Sequence, residues 1–339
     1  MIGVGLLGAG FMARTHAAAW STLDGRAQVR VVAARREEAA LAVAETCGAE
    51  ATADLAAVIT RDDVEIVDIC LPTPLHREWA VAAFAAGKHV LLEKPISLTT
   101  DDAEAILAAR DASGCMLLVG FVLRFWPEYE ALLCAVQAGA IGTPQMVSAL
   151  RIAPPPDWND WMLDPSVSGG VAIDLLVHDF DQVASLVGTP ITVHATAITA
   201  GPFDAVQHVA VTLTCEHGRA VVEGGLLLPT SYPFTSGIRV LGTGGVLEYP
   251  FAATPNTDGG NIGGVDQAAN VLTLYTTAGE RTVMPVAAGD PWQRQAEYFA
   301  RCVESNVAPK WATGEQALLA LRIALAVNRS IVSGNVEAV

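Results

Sequence analysis

The sequence has 339 residues, of which 52% are hydrophobic and 17% are charged, and its formal net charge is −16 at pH 7. This much apolar material excludes an intrinsically disordered chain, and the length favours two domains over one. The negative charge would repel phosphate backbones and anionic lipids, and no basic cluster offsets it, so we expect no nucleic-acid and no membrane partner.

The six cysteines lie far apart and form no Cys-x-x-Cys pair, which is typical of free thiols in a reducing compartment. Met1 leads directly into an apolar run without a basic segment or a cleavage site, so we expect no export signal. The last predicted helix is interrupted by Arg322 and Arg329, which argues against a membrane span. We therefore expect a cytoplasmic protein.

In the first third of the chain, short apolar runs alternate with longer Ala-rich segments of helical period. Uniformly apolar runs are typical of parallel strands buried on both faces, and the intervening segments are long enough for crossover helices. The predicted strands are 2–7, 29–33, 66–71, 90–92 and 117–119, and the predicted helices include 37–47, 75–86 and 100–113. This pattern predicts an α/β fold with an N-terminal Rossmann domain, a doubly wound parallel sheet, over residues 1–121.

A glycine-rich turn, GAGFMA at residues 8–13, follows the first strand and opens a helical segment. Glycines allow a tight turn and close backbone approach, and the N-terminus of a helix attracts the negative charge of a pyrophosphate. Such a motif arises by chance in Ala- and Gly-rich chains, but its position between strand and helix favours a dinucleotide site. The residues predicted to bind this cofactor are Gly8, Gly10, Phe11, Met12 and Ala13.

The residues after the second strand bear on the choice of cofactor. NAD-binding domains usually carry an acidic residue there for the ribose hydroxyls, whereas this chain has Ala34 followed by Arg35 and Arg36. Two guanidinium groups suit a 2′-phosphate, which favours NADP(H) over NAD(H). The alternative is that both arginines pair with Glu37, Glu38 or other nearby acids at the start of a helix.

Lys94 directly follows a predicted strand, in the sequence Glu93-Lys94-Pro95. It therefore belongs at the carboxyl edge of the parallel sheet, where ligands of open α/β sheets bind. A lysine beside a cationic nicotinamide and partly out of water can have a lowered pKa, so it can exchange a proton with a hydroxyl or polarise a carbonyl. The alternative is a surface lysine beside a proline that begins a turn.

The pattern changes after about residue 121. A helix is predicted over 127–138, followed by a Pro- and Trp-rich loop over 153–161 and by strands such as 209–215, in which every second residue is apolar. Two further helices are predicted over 290–303 and 316–332. Residues 122–339 are therefore predicted to form an α+β domain with a large, mainly antiparallel sheet.

Asp174 and His178 lie four residues apart, shortly after the Gly169-Gly170 turn. On a helix both would project from one face, and a carboxylate can orient a histidine and support its charged form during proton transfer. The alternative is an ordinary helix-stabilising pair at positions i and i+4. No further ligands have recognisable spacing, so no metal site is predicted.

These motifs, in this order, resemble the Gfo/Idh/MocA oxidoreductases, the family that contains inositol dehydrogenases and glucose-fructose oxidoreductase. The resemblance covers nearly the whole chain. The motifs that carry it are the turn at 8–13, Thr73-Pro74-x-His76, Gly87-Lys88-His89-Val90, Glu93-Lys94-Pro95, Arg124-Phe125-x-Pro127, Gly139-x-Ile141-Gly142, Gly169-Gly170, Asp174 with His178, and Asp181.

The resemblance implies that Lys94, Asp174 and His178 are catalytic. His178 would accept the proton, Asp174 would orient and support it, and Lys94 would polarise the reacting oxygen. The resemblance also implies cofactor contacts at Thr73, Pro74, His76, Glu93 and Lys94. The alternative for His76 is a loop residue without a chemical role.

Substrate contacts are implied at Arg124, Asp157, Trp158 and Trp161, besides the three catalytic residues. Acidic and aromatic side chains in the 157–161 segment suit hydrogen bonds to hydroxyls and stacking on the apolar face of a sugar. The alternative is that these side chains only pin a loop.

We therefore predict an NAD(P)-dependent dehydrogenase or reductase that moves a hydride between nicotinamide and a hydroxyl-bearing carbon of a sugar, an inositol or a related polyol. Two alternatives are an NAD(P)-using glycosidase of the same family and a non-catalytic nucleotide or sugar sensor on this fold. The exposed sheet face of the predicted second domain is a candidate oligomer surface, and the resemblance implies a homo-oligomer, a dimer or tetramer.

Overall fold

The computed structural model describes residues 1–156, 160–200, 205–253 and 270–339. The chain divides into two units, Met1–Trp126 with Gly289–Leu318, and Pro127–Ala288 with Leu319–Val339. The predicted division at residue 121 stays a prediction. The first unit takes in a late segment of the chain that the predicted domain of residues 1–121 does not include.

Six parallel strands form the sheet of the first unit, in the order β3-β2-β1-β4-β5-β6. This order reverses between β1 and β4, which is the switch point at which doubly wound sheets bind ligands. The strands are β1 (Ile2–Leu7), β2 (Ala27–Ala33), β3 (Glu50–Thr52), β4 (Ile66–Ile69), β5 (His89–Leu92) and β6 (Leu117–Val119). The Rossmann prediction is confirmed.

Helices connect these strands: α1 (Phe11–Ser21), α2 (Glu37–Cys47), α3 (Leu55–Ile59), α4 (His76–Ala85) and α5 (Thr100–Ser113). Glycines in the left-handed conformation, Gly48 and Gly114, end α2 and α5. Thr99 caps α5 by accepting a hydrogen bond from the N–H of Asp102. These local signals explain why both helices have the bounds that the sequence predicts.

Nine strands form the sheet of the second unit, in the order β14-β13-β12-β11-β7-β10-β9-β8-β15. Every neighbouring pair is antiparallel except β7 with β10. The strands are β7 (Pro144–Ile152), β8 (Pro190–Ala200), β9 (Ala205–Cys215), β10 (Arg219–Gly225), β11 (Thr235–Gly242), β12 (Gly245–Ala252), β13 (Thr273–Thr276), β14 (Arg281–Val283) and β15 (Glu337–Ala338). The mainly antiparallel sheet is as predicted.

The remaining helices are α6 (Pro127–Gln137), α7 (Pro165–Ser168), α8 (Gly170–Asp174), α9 (Val177–Val187), α10 (Pro291–Ser305) and α11 (Gly314–Ser333). Helix α10 belongs to the first unit, where the Tyr298 ring centroid lies 5.3 Å from that of Phe125. The Arg294 Nε–H donates to Phe125 O at 3.1 Å. Aromatic packing and this hydrogen bond therefore tie the late segment to the Rossmann unit.

Helix α11 runs through Arg322 and Arg329 without interruption. Among the described residues it is the one helix long and apolar enough to cross a membrane, and half of that stretch is buried inside the fold. Its fully buried residues include Leu321, Ile323 and Val327. Such burial is usual for a core helix, since a spanning helix would need those side chains for lipid.

Candidate active site

The glycine turn lies at the carboxyl end of β1, beside the switch point of the sheet. Gly8 has a φ of 118°, and a Cβ there would lie 2.3 Å from the carbonyl oxygen of Cys70, so only glycine fits. Gly10 precedes α1 without a side-chain cap, and a Cβ there would meet nothing within 4 Å. The first N–H groups of α1 can therefore face a ligand's phosphate oxygens.

The other residues of the turn differ in burial. Phe11 and Met12 are half-buried in the first turn of α1, and Ala13 is fully buried. A small buried residue at this place lets the helix pack closely on the sheet. Ala13 thus allows α1 to pack closely on the sheet beside the glycine turn.

Arg35 and Arg36 are exposed where β2 ends and α2 begins. Glu37 and Glu38 follow in the first turn of α2. Within the described ranges, neither arginine forms an ion pair with these or other acids. The alternative in which nearby carboxylates occupy both guanidinium groups is therefore not found there.

His76 links two loops at the carboxyl edge of the parallel sheet. It is buried, with Nδ1 2.8 Å from Pro95 O and Nε2 2.9 Å from Leu71 O. Burial lowers the pKa of His76. Thr73 is buried in the short 3-10 turn Thr73–Leu75, which also contains Pro74. The His76 ring therefore holds the loop after β4 against the loop that carries Lys94.

Lys94 is half-buried two residues after the end of β5. Its main-chain N–H donates to Oε2 of Glu93 at 3.0 Å, and the Lys94–Pro95 peptide bond is cis. Lys94 is thus at the carboxyl edge, as its position after a strand predicts. The neighbouring carboxylate fixes its main chain.

A buried polar cluster, which no motif in the sequence predicts, adjoins this loop at Glu93. His16 Nδ1 lies 3.0 Å from both carboxylate oxygens of Asp68, and the indole N–H of Trp20 donates to Asp68 Oδ2 at 2.7 Å. His16 Nε2 lies 3.0 Å from Glu93 Oε1, at an angle too poor for a hydrogen bond, so this contact is an ion pair when the ring is charged. The carboxylate of Asp68 in an otherwise apolar strand is the signal that could have revealed the cluster.

Three atoms of this cluster could hold a metal ion, because the ligating atoms of His16, Asp68 and Cys70 lie within 4.8 Å of one another. The Cys70 thiol lies 3.4 Å from His16 Nδ1 and 3.5 Å from Asp68 Oδ1. Burial raises the pKa of this thiol, and the carboxylate of Asp68 raises it further. Because a metal needs the thiolate and the existing hydrogen bonds already engage these atoms, we interpret the cluster as a hydrogen-bond network.

The expectation that Asp174 and His178 lie on one helix is wrong. Asp174 is the last residue of α8, and His178 is the second residue of α9. The N–H groups of Leu175 and Leu176 both bond to the carbonyl of Val171, so the regular hydrogen-bond ladder stops there. Asp174 is buried and His178 is half-buried.

A buried ion pair anchors the helix that carries His178. Arg151 Nε donates to Asp179 Oδ2 at 2.7 Å, and a second guanidinium nitrogen donates to Oδ1 at 3.1 Å. The guanidinium also lies over the Phe234 ring, 5.9 Å from its centroid. Burial alone would lower the pKa of Arg151, but Asp179 outweighs it and raises the pKa. The pair therefore ties α9 to β7 next to His178.

The predicted substrate contacts are only partly described. Arg124 is half-buried in the 3-10 turn Val122–Phe125 of the first unit. Trp161 is half-buried in the 3-10 turn Asp160–Leu163 of the second unit. Asp157 and Trp158 lie outside the described residues.

Two family models match the chain. One, described as an oxidoreductase family with an NAD-binding Rossmann fold, matches residues 2–121, and the other, described as the GFO/IDH/MocA C-terminal domain, matches residues 129–248. Together these matches cover more than half of the sequence, including both proposed catalytic segments.

Named relatives extend over most of the chain. Inositol 2-dehydrogenase of Rhizobium meliloti (strain 1021) is 33% identical over 257 residues, which cover 72% of this chain and 74% of the relative. D-xylose 1-dehydrogenase (NADP(+)) 2 of Haloferax volcanii is 29% identical over 311 residues, 91% of this chain and 90% of the relative. A levoglucosan dehydrogenase solved with NADH and levoglucosan has the same fold, with a TM-score of 0.83 at 22% identity over 100% of this chain and 99% of that one.

Proposed function

Because the chain belongs to the Gfo/Idh/MocA family of NAD-binding oxidoreductases, we propose that it acts on a sugar, an inositol or a related polyol. It transfers a hydride between a nicotinamide cofactor and a hydroxyl-bearing carbon, or reduces the corresponding carbonyl. The observation that carries this proposal is the position of Lys94, half-buried at the carboxyl edge of the parallel sheet with its main chain held by Glu93. The names of the relatives support the substrate class.

The residues of the glycine turn fit a dinucleotide. Gly8 adopts a backbone conformation that a side chain would block, and the N-terminus of α1 after Gly10 is open to phosphate oxygens. When bound, the nicotinamide would supply or accept the hydride. The chain's own residues align the reactants and move the proton.

Three side chains carry the proton chemistry. The Lys94 ammonium polarises the reacting oxygen of the substrate and helps to relay its proton. His178 accepts the proton during oxidation and returns it during reduction. Asp174 supports the charged form of His178, and this role does not require that both residues lie on one helix. The Arg151–Asp179 pair beside His178 fixes the start of α9.

NADP(H) is the preferred cofactor in this proposal. Arg35 and Arg36 are exposed at the end of β2 and form no ion pair among the described residues, so both guanidinium groups can bind a 2′-phosphate. A carboxylate that would repel this phosphate is absent at Ala34. One relative named for NADP(+) supports the preference.

We also propose substrate contacts, an assembly and a location. Arg124 and Trp161, with Asp157 and Trp158, contact the substrate through hydrogen bonds and aromatic stacking.

The protein is a homo-oligomer that forms through the large sheet of the second unit, whose strands expose Ile191, Ile198, Leu241, Tyr275 and Val283. Its location is the cytoplasm, and it has no nucleic-acid or membrane partner. Light scattering after size exclusion measures the assembly.

The deciding experiment follows absorbance of the reduced nicotinamide with NADP⁺ and NAD⁺ against inositols, aldoses and sugar derivatives. We expect a signal that is larger with NADP⁺ and that falls about 10²- to 10⁴-fold in Lys94→Ala, because general acid–base assistance is lost. The Lys94→Ala protein should still bind the cofactor. Near-normal turnover in this variant would reject the role of Lys94, and glycoside cleavage without net cofactor turnover would identify a glycosidase instead.

A further inference from the structure

The buried cluster behind Lys94 joins three elements of the first unit. His16 comes from α1, Asp68 from β4, and Glu93 from the loop after β5. His16 is 2% exposed, Asp68 0% and Glu93 7%, so all three ionisable groups are out of water. A buried charge needs a partner, and here one imidazole lies between two carboxylates.

We propose that His16 is a positioning residue for Lys94. It acts by holding the Glu93 carboxylate, which accepts a hydrogen bond from the main-chain N–H of Lys94. The inference rests on the proposed role of Lys94. Two contacts support it. His16 Nε2 lies 3.0 Å from Glu93 Oε1, and Lys94 N lies 3.0 Å from Glu93 Oε2. One carboxylate thus connects the buried ring to the reactive loop.

The position between two carboxylates selects the charged imidazole. A neutral ring carries one N–H, so its other nitrogen would turn a lone pair toward a carboxylate oxygen at 3.0 Å. Burial lowers the pKa of His16, but the Asp68 carboxylate outweighs burial and brings the pKa well above 6.5. The titratable groups that face the ring are Asp68 and Cys70 from the β4 side and Glu93 from the β5 side.

The Glu93 carboxylate also packs against Gly120. A Cβ added to Gly120 would lie 2.8 Å from Glu93 Oε1, so the carboxylate packs directly on the glycine. The N–H of Gly120 bonds to Leu92 O, which fixes this glycine against the end of β5. The carboxylate therefore has little room to turn while His16 is present. Without His16, its charge would be uncompensated and it would turn toward water.

The first test is a double-mutant cycle with His16→Gln and Glu93→Gln. We expect His16→Gln to lower kcat about 10- to 100-fold with little change in KM for the cofactor, because a small misplacement of Lys94 is costly. The double variant should be no worse than the poorer single variant, because both residues act through one carboxylate. Additive losses would overturn the inference.

A matched control and a second variant separate positioning from folding. Trp20→Phe removes the indole donor from Asp68 but leaves His16 between both carboxylates, so we expect a lower Tm with kcat within about twofold. Gly120→Ala pushes on the Glu93 carboxylate without altering His16, and it should lower kcat as His16→Gln does. If Trp20→Phe and His16→Gln lose kcat equally, the cluster is only structural.

A spectroscopic test does not depend on turnover. The sequence has three lysines, Lys88, Lys94 and Lys310, so ¹⁵N-lysine labelling gives three main-chain amide signals. In His16→Gln the Lys94 amide proton should move upfield as its bond to the carboxylate weakens, whereas Lys88 and Lys310 should not move. An unmoved Lys94 signal would overturn the inference. If instead this signal moves while Lys94→Ala keeps its activity, the positioning stands and the proposed function fails.

Discussion

Both units bury a cation beside a proposed catalytic residue, but they use different cations. In the first unit His16 lies between Asp68 and Glu93, and Glu93 directly precedes Lys94. In the second unit Arg151 binds Asp179, which directly follows His178.

The difference between these cations is chemical. A guanidinium keeps its charge at every accessible pH and binds one carboxylate through two parallel bonds, which suits a fixed connection between a helix and a strand. An imidazole has two nitrogens on opposite sides of a ring and can join two carboxylates from different strand ends, but it can lose its charge. The cation of the first unit can therefore be lost as pH rises, whereas the cation of the second unit cannot.

The largest expected effect is the loss of stability on breaking the Arg151–Asp179 pair. Arg151→Leu leaves the Asp179 carboxylate buried without its partner, so we expect the free energy of unfolding to fall by about 3–5 kcal/mol. Urea unfolding measures this loss. In the double variant Arg151→Leu/Asp179→Leu much of the stability should return, since no charge then remains buried.

The exposed pair Arg239–Glu248 is the control for this experiment. Its atoms are 3.5 Å apart, and both side chains are at least 40% exposed. Arg239→Leu should therefore cost at most about 1 kcal/mol. Equal losses for Arg151→Leu and Arg239→Leu would show that burial does not distinguish the two pairs.

The pH dependence of stability sharpens the contrast between the two cations. The folded pKa of His16 is raised above 6.5, so folded protein holds a proton that unfolded protein releases above that pH. The stability from His16 is complete below pH 6.5 and is lost as pH rises through the folded pKa, with a slope of up to about 1.4 kcal/mol per pH unit. Unfolding measured from pH 6 upward should show this slope in wild type and in Arg151→Leu.

The same slope should be absent in His16→Gln. The unfolded proteins differ only in one histidine, so the difference between the two curves isolates the contribution of His16. If both proteins lose stability equally with rising pH, another group is responsible. The His16 ring is then not charged in the folded protein, despite its contacts with the Asp68 and Glu93 carboxylates.

The parts that the sequence predicts correctly are those that local signals decide. Helices α2 and α5 follow from their helical period and the left-handed glycines after them, and the glycine turn follows from its place after β1. Strand β3 and helix α3 were missed because three and five residues carry too little periodicity.

The errors at the site have a different origin. Leu175 and Leu176 fit a helical pattern, yet the chain breaks there because two N–H groups share the carbonyl of Val171. The cluster of His16, Asp68 and Glu93 comes from elements far apart in the sequence, and only the fold brings them together. The spacing of residues along the chain therefore predicts neither the helix break nor the buried cluster.

The smallest expected effect concerns two cations at the surface of the first unit. Arg35 and Arg36 are exposed and form no ion pair in the described part of the chain, so removing them should cost little stability, unlike removal of either buried cation. Arg35→Ala/Arg36→Ala should weaken NADPH binding about tenfold, roughly 1.4 kcal/mol, because charged hydrogen bonds to the 2′-phosphate are lost. NADH binding should not change, since NADH lacks that phosphate.

Fluorescence titration of both reduced cofactors measures the ratio of the two dissociation constants, and the ratio is insensitive to a general defect in folding. Arg77→Ala is a suitable control, because Arg77 is also exposed in the first unit but binds Asp102 at 2.9 Å. It should leave the ratio unchanged. An equal loss of NADPH and NADH affinity in the double variant would mean that the arginines act on the shared part of the cofactor. Tighter binding of NADH than NADPH by wild type would reject the preference itself.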